Sequence, residues 1–205
     1  IAFSTVDTLL IGRVSARELA ALSVGGACHV TVFIGLMGIV MALSPIAGQL
    51  HGARRPVEAG RQLHQAVWLA LALASLGALL MSFPGPLIRL LGLPPELEPR
   101  VTAFLRVQAL ALPASLLFTA FRAFSNAVSR PKSVMALQVG GLALKIPLST
   151  LFVFGVPAIG LPALVVVGCG IATCIAMWTQ CGVALTVLRR DPIYAPLALG
   201  GRPRC

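Results

Sequence analysis

Acidic side chains are scarce in this chain: six Asp and Glu stand against 16 Lys and Arg in 205 residues. Charged residues of either sign make up 11%, where a soluble domain carries about 25%. With 58% hydrophobic residues and a mean hydropathy of +0.93, the composition is that of an integral membrane protein. An enzyme needs a constellation such as paired carboxylates, HExxH, or a nucleophile beside a base, and the sequence contains none. Three histidines, at 29, 51 and 64, are too scattered for metal-ligand spacing, so neither metal nor cofactor is expected. The cysteines at 28, 169, 174, 181 and 205 form no CxxC; four lie in apolar runs, where a thiol acts as a small buried hydrophobe. Gly168-Cys169-Gly170 resembles a dinucleotide glycine pattern, but it sits in a membrane run without βαβ context. The formal net charge of +10 does not point to nucleic acid, because the basic residues flank hydrophobic runs instead of gathering on one face with aromatics.

What is present is a series of apolar runs long enough to cross a bilayer. The pattern predicts spans at about 1–14, 19–50, 63–83, 97–127, 133–155 and 163–188. The chain opens on Ile1, and Asp7 comes before a full span is complete, so the first span reads as truncated and the whole as an excised piece of a longer protein. Ser15-Ala16-Arg17-Glu18 has the form of a capping box for the second span. That span exceeds the length needed to cross and is expected to tilt or protrude, with a kink at Pro45. LIRLLGL (87–93) is too short to cross and is expected at the interface. No strong repeat stands out.

The fifth run, SVMALQVGGLALKIPLSTLFVFG, holds one charge, Lys145. It lies about 18 Å along the helix from Ser133 and about 15 Å from Gly155, too deep for its stem to reach either interface comfortably. An ammonium at that depth costs roughly 2.5–3.5 kcal/mol on insertion scales, so Lys145 is expected to face water or an opposite charge. The one acidic residue within another apolar run is Asp7. Pro147, two residues on, removes a helical hydrogen bond and frees a carbonyl near 141–143.

Alternating loops put 51–61, 128–132 and the tail after 188 on one side of the membrane. That side carries nine Lys and Arg; the other carries four, Arg13, Arg17, Arg89 and Arg100. The positive-inside rule places the richer side in the cytoplasm of a cell inner membrane.

Five stretches in order resemble the multidrug and toxic compound extrusion (MATE) family of antiporters: VDTLLIGRVSARELAALSVG, SPIAGQLHGARR (44–55), FRAFSNAVSRPK (121–132), KIPLSTLFVFG (145–155) and GCGIAT (168–173). The resemblance, which covers nearly the whole chain, implies an all-α membrane fold of twelve helices in two six-helix lobes. Residues 1–188 then resemble the N-terminal lobe and 189–205 the start of a cytoplasmic connector to a missing C-terminal lobe. Such proteins export small cationic or amphipathic compounds in exchange for protons or sodium, rocking one lobe against the other.

The resemblance also implies a polar cluster for the coupling ion. Asp7 matches the family's first-helix aspartate and Thr173 a sixth-helix threonine. The fifth-helix motif, Asn-x-x-x-(Asp or Asn) in the family, reads Lys145 and Ser149 here, a departure that speaks against a sodium site. Asp7 is read as proton carrier or as a hydrated structural carboxylate. Lys145 is read either as a tethered cation paired with Asp7 or as lining a wet cavity between lobes. Pro147 is a candidate for helix gating, while Gln49 and Arg122 are expected to anchor helix ends and Trp68 and Trp178 to pack or to lie at the membrane interface. Two other functions remain open: a lipid-linked precursor flippase, which would use Arg106, Arg122 and Lys145 on a pyrophosphate, and a non-transporting membrane scaffold subunit.

Overall fold

The computed structural model describes residues 2–85, 88, 92–155 and 164–190, all in helices and tight connections. The helices are α1 (Ala2–Ile11), α2 (Ala16–Met41), α3 (Leu43–Gly52), α4 (Pro56–Ser82), α5 (Glu98–Ala127), α6 (Pro131–Phe154) and α7 (Val165–Arg190). Counting α2 with α3 as one segment, five are long and apolar enough to cross a membrane. The short run at 87–93 falls largely outside the described residues, and residues 156–163 and those from 191 lie outside them.

α5 is the axis of the bundle. In its span 61% of residues are buried, against 17–28% in the others, because α2, α3, α4, α6 and α7 all pack on it. A helix surrounded by helices gains by satisfying its polar groups locally, and two of its hydroxyls do so: Ser115 donates to the Ala111 carbonyl and Thr119 to the Ser115 carbonyl, each at 2.9 Å. The outer helices show small residues inward and large ones outward. In α4 the buried stripe is mostly small, Ala59, Gly60, Ala66, Ala70, Ala74 and Gly77 with Leu63 and Met81, while Leu69, Leu76, Leu79 and Leu80 are exposed. Lipid tails are as apolar as leucine, so close backbone approach through small residues holds such helices together.

Two expectations need correction, and a third holds: the second span runs as one segment, Ala16–Gly52, with a single interruption close to Pro45. It breaks at Ala42 into α2 and α3, three residues before Pro45, whose missing N–H and ring together disrupt the hydrogen bond to Met41 four residues back. The capping box does not form: Ser15 is the N-cap of α2 but makes no side-chain cap bond. Glu18 turns instead to Arg100 at the start of α5, with a Nε–Oε1 distance of 2.7 Å. The loop expected at 51–61 contracts to a turn at 53–55, because Pro56 can open α4 at the first helical position, where an N–H is not needed.

That turn is built twice. Ala53, Arg54 and Arg55 donate to Gln49, His51 and Leu50, and Val128, Ser129 and Arg130 donate in the same pattern to Phe124, Asn126 and Ser125. Each has its middle residue left-handed (Arg54 φ 57°, Ser129 φ 60°) and a proline starting the next helix. The shared form, x-x-x-Arg-Pro, is a short local repeat in the structure. A non-glycine residue in this conformation is strained by roughly 1 kcal/mol. Ser129→Gly is therefore expected to raise the thermal midpoint of the full-length protein slightly, and a lower midpoint would show that the Ser129 side chain matters more than its backbone.

Candidate functional site

Two helices bring the intramembrane charges together by the same spacing. On α1, Phe3 and Asp7 are four apart; on α6, Lys145 and Ser149 are four apart, so each pair occupies one helical face. α1 packs against α6. Lys145 Nζ lies 2.7 Å from Asp7 Oδ2, and the lysine is 1% exposed and the aspartate 6%. The ammonium also donates to the Phe3 carbonyl at 2.9 Å and stands 4.7 Å from the centroid of the Phe3 ring. Ser149 Oγ donates to Asp7 Oδ1 at 3.4 Å. The Cys169 thiol, from α7, reaches the same carboxylate. Lys145 and Ser149 of α6 and Cys169 of α7 thus converge on Asp7 of α1.

Among the described residues, the remaining candidates make no hydrogen bond to Asp7 or Lys145. Thr173 is buried on α7, and its hydroxyl donates to the Cys169 carbonyl one turn back, at 2.9 Å. α6 runs unbroken through Pro147, whose carbonyl accepts from Thr150 Oγ1 at 2.8 Å. Gln49 is exposed in the last turn of α3, where its backbone carbonyl accepts from Ala53 N–H. Arg122 is half-buried with Nη2 3.6 Å from Met37 Sδ. Arg106 is exposed and lines a separate hollow with Glu98 and Thr102. Sixteen residues separate the two arginines along α5, about 24 Å. Trp178 bonds the Leu110 carbonyl at 3.0 Å and Trp68 the His64 ring at 3.1 Å.

Sequence reasoning missed Phe3 and Cys169. A backbone carbonyl gives no sequence signal, but Gly168-Cys169-Gly170 did give one. A side chain on Gly168 would collide with the Phe152 backbone and one on Gly170 would press on Val107 and Phe104. The two glycines bring α7 close to both α6 and α5, and the residue between them is held against Asp7.

An all-α bundle of membrane helices with a buried charge pair on its first and fifth spans is the architecture of one lobe of a multi-pass transporter. The comparisons agree. The MatE family profile matches residues 1–151, and the chain belongs to the MatE family, which consists of transporters and not enzymes. It is 37% identical over 195 residues to a probable multidrug resistance protein NorM of Aromatoleum aromaticum, an alignment covering 94% of this chain and 41% of that protein. It is 34% identical over 205 residues to the multidrug resistance protein PmpM of Pseudomonas aeruginosa, covering 98% and 42%. Its fold superposes on the eukaryotic MATE transporter AtDTX14 with a TM-score of 0.84 at 18% identity, covering 97% of this chain and 46% of that one. The chain thus spans about two fifths of the length of these curated relatives.

Proposed function

We propose that residues 1–188 form the N-terminal lobe of a secondary antiporter that exports cationic or amphipathic compounds in exchange for protons, and that 189–205 begin the connector to a second lobe. The observation that carries this reading is the buried 2.7 Å pair between Lys145 and Asp7, at positions that the resemblance assigns to a coupling-ion cluster. The ammonium fills the role of the coupling cation, which argues for protons over sodium. A proton on Asp7 removes the countercharge of Lys145 and breaks the pair, and an unpaired buried charge favours any rearrangement that finds it new partners. α1, held to α6 through Asp7 and the Phe3 carbonyl, is the element such a change releases first. Pro147 supplies a point in α6 where a helical hydrogen bond is already absent.

The spread of Arg106, Arg122 and Lys145 over separate surroundings weighs against the flippase reading, since a pyrophosphate needs its cations together. The basic turns at 53–55 and 128–130 are assigned to the cytoplasmic side of the inner membrane.

Reconstituting the full-length protein in liposomes tests the reading. A proton gradient is expected to drive movement of a cationic dye, a sodium gradient is not, and Asp7→Asn should abolish the proton-driven part. Sodium-driven transport indifferent to Asp7→Asn would refute the role given to this lobe.

A further inference from the structure

Once Asp7 takes up a proton, Lys145 keeps the Phe3 carbonyl but loses its charged acceptor, and α2 and α5 hold two neutral acceptors with no partner among the described residues. Gln108 on α5 is 5% exposed, and its Oε1 has no hydrogen-bond partner among the described residues. The Nδ1 of His29 on α2 is likewise buried and unpartnered among them. Unpaired buried polar atoms are rare in folded proteins and call for a physical reason.

The two groups are neighbours by the packing of their helices. A Cβ on Gly25 would lie 2.7 Å from the Phe104 ring, and one on Gly77 would lie 2.5 Å from Leu112 and 2.6 Å from Leu36. Residues 25 to 36 of α2 therefore run alongside 104 to 112 of α5, in the same direction. His29 and Gln108 each stand four residues past the Gly25–Phe104 contact, on the contacting faces. The third wall is α7, where Gly170 faces Phe104 and Val107 and Cys169 faces Asp7. Of the titratable groups on helices around His29, Asp7, Lys145 and Cys169, the Lys145 charge is the one that acts on the ring. On α5, Arg106 points outward, and α4 offers only apolar residues at 78–81.

We propose that His29 Nδ1 and Gln108 Oε1 form a second, neutral acceptor site for the Lys145 ammonium, occupied directly or through a water when Asp7 is protonated. The proton comes from the aqueous phase and forms an O–H bond on the Asp7 carboxyl. The lysine stays an ammonium throughout, and His29 stays neutral with its proton on Nε2, leaving the Nδ1 lone pair free. An ammonium has three donors and no acceptor, so it needs lone pairs, and these two groups supply them without charge. The lobe then has two positions for one fixed cation. This proposal deepens the proton-coupled reading and rests on it for its use in transport.

The test is an infrared titration of the full-length protein, following the protonated-carboxyl band that Asp7→Asn removes. Acceptors stabilise the protonated state, so removing them makes protonation harder. Gln108→Leu and His29→Phe are each expected to move the half-development of the band to lower pH, by about one unit, equivalent to about 1.4 kcal/mol. Gln108→Glu supplies a charged acceptor and should move it to higher pH. A general packing defect does not produce opposite signs at one position. If Gln108→Leu does not fold, His29→Phe and Gln108→Glu carry the test. A band unmoved in all three, absent down to pH 4, or moved the same way by Leu and Glu overturns the proposal. Dye transport measured alongside separates the two ideas. Shifted bands in a protein indifferent to a proton gradient sink the antiport reading and leave the acceptor site standing. Proton-driven transport with unmoved bands does the reverse.

Discussion

Lys145→Met is expected to destabilise the full-length protein by about 3–5 kcal/mol near neutral pH, the usual loss when one partner of a buried ion pair is removed. Methionine nearly matches the stem in length and volume, so the loss comes from the charge left behind. Asp7 at 6% exposure keeps Ser149 and Cys169 as neighbours, but neither brings a full charge to replace the ammonium. An isolated buried carboxylate is tolerated best in its neutral form, so the deficit should shrink as the pH is lowered. The double variant Lys145→Met with Asp7→Leu removes both charges, and replacing a buried pair by apolar residues is often neutral or stabilising. It should recover most of the stability yet none of the proton-driven transport. Thermal unfolding of the single and double variants at pH 5 and pH 8 decides the matter. A single variant as stable as wild type at pH 8 would mean that the pair is well hydrated and contributes little.

Much of this fold was legible because a bilayer leaves few choices: long apolar runs must become helices, and prolines and basic clusters mark their ends. Spans four to six came within a few residues of α5, α6 and α7 for that reason. The sequence was a poorer guide where two signals compete in one place. Ser15 and Glu18 have the spacing of a capping box, but Arg100 offers Glu18 a charged partner from another helix, and only the packing of α2 on α5 brings it near. The interruption at Ala42 falls within a turn of Pro45, where the sequence led one to expect a kink. At the site, Asp7 and Lys145 stood out as charges without an evident reason to be in hydrocarbon. Phe3, Cys169, His29 and Gln108 did not, because an apolar residue or a neutral amide in a membrane helix is ordinary until its neighbours are known.

Gly168→Ala should be the most damaging small substitution in α7, and the reason lies in what its methyl group would meet. The new Cβ would sit 2.5 Å from the Phe152 carbonyl oxygen and 2.7 Å from its carbon, both backbone atoms. A side chain can turn away from such a contact, but this carbonyl also accepts the Leu164 N–H at 3.1 Å, at the entry to α7. Relief requires α7 to move off α6. Alanine gains about 1 kcal/mol over glycine in helix propensity, yet overpacking of this kind loses about 1–3 kcal/mol or more, so the net change is a loss. Two other glycines on the helix calibrate it. At Gly170 the nearest atoms are the side chains of Val107 and Phe104, at 3.3 and 3.4 Å, which can yield by tenths of an ångström; at Gly182 nothing lies within 4 Å. The expected order of thermal midpoints is Gly182→Ala at or above wild type, Gly170→Ala near it, and Gly168→Ala well below. The last should also disturb the charge pair, since Cys169 is the next residue and Phe152 lies three residues past Ser149 on α6. A shift of α7 pulls the thiol from Asp7 and loosens the helix that carries Lys145. The Asp7 infrared band should change in Gly168→Ala and stay as it is in Gly182→Ala. Equal midpoints for the two would show that the α6–α7 contact yields easily and does not hold the site in place.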